Sequence, residues 1–365
     1  MTMIDPAIVP QRTLYTGAKM PAVGMGTFGS DHADADAVSA SVAGALRVGY
    51  RSFDCAACYG NEDMIGKIFA DAFAEGIVKR EELFIASKVW NDMHGDGDVL
   101  IACAKTLKDL KLDYLDMYYV HWPFPNYHAP HCDVDSRNPD SKPFTVERFM
   151  KTWRQMERLV DMGLTKHIGM SNMTIPKLEA VLPLCRIKPA AIEMELHPCF
   201  QQPELFDYCR AHGIEVVGFC PIGSPERPER DKMPEDIADI ELPELKAIAA
   251  AHGVHPAVIC IKWAVQRGAS PIPFSLKEKN YTMNLKCVTE DPLTEEEMAS
   301  LGFVKTDVLV DFEVGDMITV ISGAWKDTVG AIKAVNDSKQ TITINVEMFG
   351  RETPVELGFA EVKKM

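Results

Sequence analysis

The sequence predicts an α/β protein. Residues 10–305 read as a (β/α)8 barrel with an N-terminal β-hairpin, and residues 307–365 as a small all-β unit. Three observations lead there. Short β-branched or aromatic runs alternate with helical patterns eight times, which points to a parallel sheet. Several runs end on a polar residue: Asp54 closes YRSF, Lys88 closes LFIAS, and His121 closes MYYV. Polar groups on separate strand tips meet only if the strands lie side by side in parallel, as at the C-terminal face of a closed barrel. After about residue 306 the pattern changes to short alternating strands separated by Gly and Asn-Asp turns.

Each element follows from local chemistry. LYTGAKMPAVGMGTF turns around Gly17, predicting a capping hairpin and then a strand around residues 23–27. DADAVSASVAGALRVGY is a helix that stops near Gly49. YRSFD, ELFIASK, YLDMYYVH, TKHIGMS, AAIEMEL, IEVVGFC and SPIPFS are the following strands. Between them, NEDMIGKIFADAFAEG and DGDVLIACAKTLKDLKLD read as helices, the second with Val99, Cys103, Leu107 and Leu110 on one face. In residues 145–162, Phe149, Trp153, Met156 and Val160 recur at helical spacing. TIPKLEAVLPLC carries Pro176 in its first turn, where a missing N–H is harmless. PELFDYCRAHG, ELPELKAIAAAHG and HPAVICIKWAVQRG complete the set. No GxGxxG follows the first strand, which argues against an open dinucleotide-binding sheet. Two polar, Pro- and Asp-rich loops, residues 122–144 and 223–240, follow strands and are expected to wall a cleft.

Composition bounds the function. Of 365 residues, 47% are hydrophobic and 25% charged, as in an ordinary soluble domain. A net charge of −15 argues against nonspecific binding to nucleic acid or an anionic membrane, while leaving room for a local basic pocket. There is no run of 18 apolar residues, and MTMIDPAIVPQR lacks the basic and apolar regions of a secretory signal. Ten scattered cysteines then suggest reduced thiols and a cytoplasmic setting. Cys55 and Cys58 form a CxxC between Asp54 and Tyr59. It reads as two small packed side chains or as a thiol switch, and no metal site is expected because no second CxxC or HxxxH supplies ligands.

Asp54, Tyr59, Lys88 and His121 together suit proton transfer at a carbonyl oxygen. Their surroundings resemble a known family. MPAVGMGTF, RSFDCAACYGNE, LFIASKVW, YLDMYYVHWP, HIGMSN, ELHPCFQQ and FCPIGS occur in the order of the signature blocks of the aldo-keto reductases, over roughly residues 12–300. KVWN and the long loop after HWP are most similar to aldose and xylose reductases. The resemblance implies NAD(P)H-dependent reduction of an aldehyde, ketone or aldose. Tyr59 would be the general acid, Lys88 would lower its pKa, Asp54 would hold Lys88, and His121 would orient the carbonyl. Ser171, Asn172 and Glu193 would face the nicotinamide carboxamide, and Phe219 would stack on its ring. Thr27 and Phe28 would lie under the cofactor. Cys220, Pro221, Ile222 and Ser224 would cover the pyrophosphate, and Ser275, Lys277 and Asn284 would bind the adenosine side. Phe28, Trp90 and Trp122 would form an aromatic substrate wall.

Three residues depart from the family pattern. Glu193 stands where a Gln is usual, and an ionised carboxylate accepts hydrogen bonds only. Phe274 and Asn280 replace the Lys and Arg that grip the 2′-phosphate of NADP(H), with Lys277 and Lys279 nearby. The resemblance therefore favours NADPH, with NADH or dual use as the alternative. The tail, in FEVGDMITVISGAWKDTVGAIKAV and VEMFGRETPVELGFAEVKK, resembles the KOW module of NusG-type transcription factors, with Gly330 at its turn glycine. Residues 307–365 hold six Lys and Arg against ten Asp and Glu, so a protein surface is a better partner than nucleic acid. The other functional class is a scaffold that binds nucleotide without catalysis and acts through its tail; an intact set of four polar site residues favours the enzyme.

Overall fold

The structure, a computed structural model, describes residues 3–29, 32–125, 142–223, 238–302, 314–320, 328–336, 341–348, 351–358 and 362–364. The chain divides into two compact units, Met1–Phe303 and Val304–Met365.

The first unit opens with a hairpin, β1 (Gln11–Thr13) against β2 (Lys19–Pro21), turning through Gly17 at φ 87°. Eight strands follow in one sheet: β3 (Met25–Gly26), β4 (Ser52–Asp54), β5 (Phe84–Val89), β6 (Leu115–Val120), β7 (Thr165–Ser171), β8 (Ala191–Glu195), β9 (Glu215–Phe219) and β10 (Ser270–Pro271). Every pairing between neighbours is parallel and sequential. Gly24 N and Gly26 N donate to Pro271 O and Pro273 O, each at 3.1 Å, and these bonds join the first strand to the last. The sheet is thus the closed barrel that the strand–helix rhythm predicts.

Helices α1 (Ala35–Val48), α2 (Glu62–Ala74), α3 (Asp98–Leu110), α4 (Val146–Asp161), α5 (Ile175–Val181) and α6 (Pro203–Ala211) alternate with the strands, and α7 (Pro243–His252) and α8 (Pro256–Arg267) both precede β10. Two more, α9 (Glu278–Lys286) and α10 (Glu295–Gly302), follow it. The predicted face of α3 is buried at all four positions. In α4, Phe149, Trp153 and Met156 are buried as expected, but the fourth core position is Leu159 rather than Val160. The inward stripe turns slightly to leave Glu157 buried as well, where its carboxylate accepts from the backbone N–H of Arg186 and Ile187. Among the described residues no single helix is long and apolar enough to cross a membrane.

The hairpin matters to the site because it closes the other end of the barrel. Leu14 and Met20 pack with Phe84, Ala86, Met117, Tyr119, Ala191 and Val217, which come from four barrel strands. The interior is filled from below, which leaves the C-terminal rim as the face where polar side chains converge.

The second unit is a five-stranded antiparallel sheet in the order β14-β13-β12-β11-β15. Its strands are β11 (Met317–Val320), β12 (Val329–Asn336), β13 (Thr341–Met348), β14 (Arg351–Gly358) and β15 (Val362–Lys364), two more than the three runs singled out in the sequence. Ile318, Val320, Ile332, Ile342, Ile344, Leu357 and Val362 form its core. Pro354 lies in the edge strand β14, where a missing N–H removes no ladder bond on the open side. Gly330 is not in a turn. It pairs with Ile318 inside β12 and abuts the Ile344 side chain, so its small size serves packing.

Gly26 sets the closure seam. A Cβ there would stand 2.8 Å from the backbone oxygen of Ile272, which cannot yield without opening the barrel. Gly26→Ala is expected to lower stability by roughly 2–3 kcal/mol, whereas Gly302→Ala, with open space around it, stays within about 1 kcal/mol of the parent. Denaturant midpoints of the two variants check this.

Candidate active site

The parallel strands deliver their last residues to one rim. Asp54 ends β4, Lys88 is next to last in β5, His121 follows β6, Ser171 ends β7 and Phe219 ends β9. Tyr59 sits on a short 3-10 turn, Ala57–Tyr59, just after β4. Registers fix their depth: Asp54 is level with Ala86, Lys88 with Tyr119, and Ser171 with Glu193.

Lys88 is the centre of the arrangement and is 0% exposed. Its ammonium donates a very short hydrogen bond to Asp54 Oδ2 and another, at 3.1 Å, to the carbonyl of Cys55. Glu193 Oε1 lies 3.4 Å away, so three oxygens surround the three donors. The same ammonium stands 5.5 Å from the centre of the Tyr59 ring. Phe28 packs on Tyr59 with ring centres 5.0 Å apart, His121 meets it edge-on at 6.0 Å, and Trp90 meets His121 edge-on at 5.0 Å. His121 Nδ1 faces Cys58 Sγ at 3.6 Å.

Electrostatics sort the groups by protonation. Burial would lower Lys88, but the charges of Asp54 and Glu193 hold it well above the ordinary lysine value. Burial, then Lys88, pushes His121 well below the ordinary range, so the ring is neutral. The expectation that Lys88 gives Tyr59 a lowered pKa needs correction. Lys88 does pull it down, but burial outweighs that pull and the phenol is raised well above its usual value. Tyr59 and His121 both keep an accessible edge at the rim, which moderates the effect of burial. Glu193 also departs from expectation. Burial and the charge of Asp54 raise it above the usual carboxylate range against the opposing pull of Lys88, and when protonated it can donate as well as accept. Asp54 is raised by burial too, and it is the closer partner of Lys88. Cys55 and Cys58 are free thiols, both raised by burial away from the reactive thiolate, which favours packing over a switch.

The remaining predicted residues fall in three groups. Asn172 takes a left-handed backbone, φ 57°, and its amide donates to His121 O at 2.9 Å and to Ser171 Oγ at 3.2 Å, tying the ends of β6 and β7 together. Thr27 is fully buried and donates to the carbonyl of Asp54 at 2.8 Å, so its hydroxyl anchors β4. Phe219 is half-buried at the rim, and Cys220, Pro221 and Ile222 form a tight turn closed by Gly223 N donating to Cys220 O. Ser224 lies outside the described residues, as do 126–141 and 224–237 of the two long loops. Ser275 Oγ accepts from Lys277 N and from the Asn280 amide, each at 3.2 Å, at the start of α9; Lys277 is exposed and Asn284 is buried within that helix. Phe28 packs on the Tyr59 ring and Trp90 on the His121 ring, whereas Trp122 is 37% exposed and packs on Phe124.

The comparisons agree with this geometry. The sequence profile of the aldo/keto reductase family matches residues 22–303. The chain belongs to the aldo/keto reductase family. An aldo/keto reductase from Synechocystis is 40% identical over 291 residues, covering 80% of this chain and 87% of that protein. Human aldo-keto reductase family 1 member A1 is 39% identical over 294 residues, covering 79% and 87%. Among solved structures, a Bombyx mori aldo-keto reductase in complex with NADP is similar with a TM-score of 0.71 at 30% identity, covering 81% of this chain and 93% of that one.

Sequence reasoning missed one part of the reductase's rim. His197, just beyond β8, has Nδ1 at 2.9 Å from Asp239 Oδ1 and Nε2 at 3.5 Å from Glu195 Oε1. Cys199 joins them, with donor atoms of His197, Cys199 and Asp239 within 4.8 Å of one another. Burial alone would lower His197, but hydrogen bonds to Asp239 and Glu195 raise it to about 9. Held between Asp239 and Glu195, His197 pins the loop after β8. A folded pKa raised from 6.5 to about 9 means that the stabilisation is complete below 6.5 and is lost as pH rises through about 9. The stability gap between parent and His197→Gln is therefore expected to narrow by roughly 3 kcal/mol between pH 6 and pH 10, read from denaturant unfolding at each pH.

Proposed function

We propose that this reductase uses NADPH to reduce an aldehyde, ketone or aldose at the rim of the barrel, with Tyr59 as the acid that protonates the carbonyl oxygen. The observation that carries the reading is the buried Lys88–Asp54 pair beside Tyr59. A phenol raised by burial keeps its proton through the physiological range, which suits a donor. The ammonium beside it stabilises the tyrosinate that forms as the proton leaves. Asp54 holds Lys88 charged and in place. His121, being neutral, can hydrogen-bond the carbonyl oxygen without competing as an acid, and its Nδ1 is already turned toward Cys58. Phe28 and Trp90 exclude water from the reacting carbon, and Trp122 with the 122–144 loop would admit a polar substituent.

The cofactor supplies the hydride when bound. The residues present fit it. Phe219 offers a half-buried ring, Ser171, Asn172 and Glu193 offer polar groups at the same level, and the turn at Cys220, Pro221 and Ile222, leading to Ser224, would cover the pyrophosphate. Ser275 and Lys277 lie at the start of α9, where the helix N-terminus and a lysine favour a phosphate, and Asn284 is buried further along the same helix. Phe274 and Asn280 in place of the usual cations leave NADH as a second cofactor. The reading of a nucleotide-binding scaffold requires that none of this chemistry occur.

For the tail, we propose a KOW-type module that docks on a protein, which its antiparallel sheet and acidic balance support, within a cytoplasmic enzyme. A chain ending at residue 303 would then keep its kcat/KM.

Tyr59→Phe and Lys88→Met are each expected to lower kcat by about 10²–10⁴ while NADPH still binds, followed as the decay of reduced-cofactor absorbance with a panel of aldehydes and aldoses. Unchanged rates in Tyr59→Phe would refute the assignment of the acid.

A further inference from the structure

Two carboxyl groups and one ammonium share a sealed space beneath the reacting phenol. Asp54 is 4% exposed, Glu193 2% and Lys88 0%. Asp54 and Glu193 both reach Lys88 Nζ, and their side chains also contact each other directly. Among the described residues, no N–H or O–H group donates to the buried oxygens Asp54 Oδ1 and Glu193 Oε2. If both carboxyls were ionised, the cluster would hold a net charge of −1 without water, and the two groups could only repel. A single proton removes the charge and lets one carboxyl donate to the other. The groups that face this cluster are Cys55 after β4, Tyr59 on its turn, Tyr119 and His121 from β6, Ser171 level with Glu193 on β7, and, more distantly, Glu215 from β9. Among these, Tyr59 carries the chemistry.

We propose that Glu193 is a positioning residue that shares one proton with Asp54 above Lys88 and thereby keeps Tyr59 in its acid form over a wider pH range. When Glu193 is neutral, Asp54 and Lys88 balance and Tyr59 feels a compensated ammonium. When the pH rises and Glu193 ionises, a second negative charge forms 3.4 Å from Lys88 and offsets its pull on the phenol. A neutral side chain at residue 193 has no such response. The inference rests on the reading of Tyr59 as the acid.

The test follows tyrosinate absorbance against pH on the full chain without ligands, for the parent and Glu193→Gln. The same measurement on Tyr59→Phe in each background isolates the transition of Tyr59. The transition is expected to fall by about one pH unit in Glu193→Gln, and the falling limb of kcat for carbonyl reduction to move with it. Glu193→Met, equally uncharged, must shift in the same direction. Thermal melting gives a readout free of catalysis. A carboxyl raised in the folded state from 4.5 to about 8 destabilises the parent progressively as pH rises through that window. The melting-temperature gain of Glu193→Gln over the parent should therefore grow from pH 5 to pH 8 and then level off. An unmoved tyrosinate transition, a gain that does not depend on pH, or a change confined to KM for NADPH would each overturn the proposal. Full activity in Tyr59→Phe would instead refute the acid assignment, and the tyrosinate and melting data would still report on the proton.

Discussion

An ammonium withdrawn completely from water needs oxygens around it, and the site is organised by how the barrel meets that need for Lys88. Charge burial of this kind is expensive unless every donor is engaged, and it persists only where geometry holds the partners in place. Here the partners come from separate strands: Asp54 and the Cys55 carbonyl from β4 and its exit, Glu193 from β8. Sheet closure through Gly24 and Gly26 keeps those strands at fixed distances.

The same burial sets two opposing effects on Tyr59. A nearby positive charge favours tyrosinate, and a dry surrounding disfavours it; in this structure the dry surrounding wins. That balance suits a group whose task is to give up a proton only when a carbonyl oxygen gains electrons. His121 is held neutral by the same two influences, burial and the Lys88 charge, so the two neighbouring rings start from different states: a phenol that keeps its proton and an uncharged imidazole.

Much of this was legible in the sequence. Asp54, Lys88 and His121 stand out because a charged or polar residue ends an apolar run, and strand tips of a parallel barrel share one face. Partnerships that cross the ring were not legible. Glu193 lies within an apolar strand and reads as a neighbour of the nicotinamide; only the closed sheet brings it to Lys88. His197 and Asp239 are 42 residues apart, with a helix, a strand and a polar loop between them. Local rotation was also hidden. Val160 and Leu159 fit the helical pattern of α4 about equally, and the packing partners decide between them. In the tail, the alternation was clear but the last two strands were not, because Pro354 interrupts one and the other is only three residues long.

The hairpin that plugs the barrel has an effect beyond packing. With Leu14 and Met20 filling one end, the polar residues are approached from the C-terminal rim. A few apolar side chains on the far side of the barrel thus help decide where a reactant can come in.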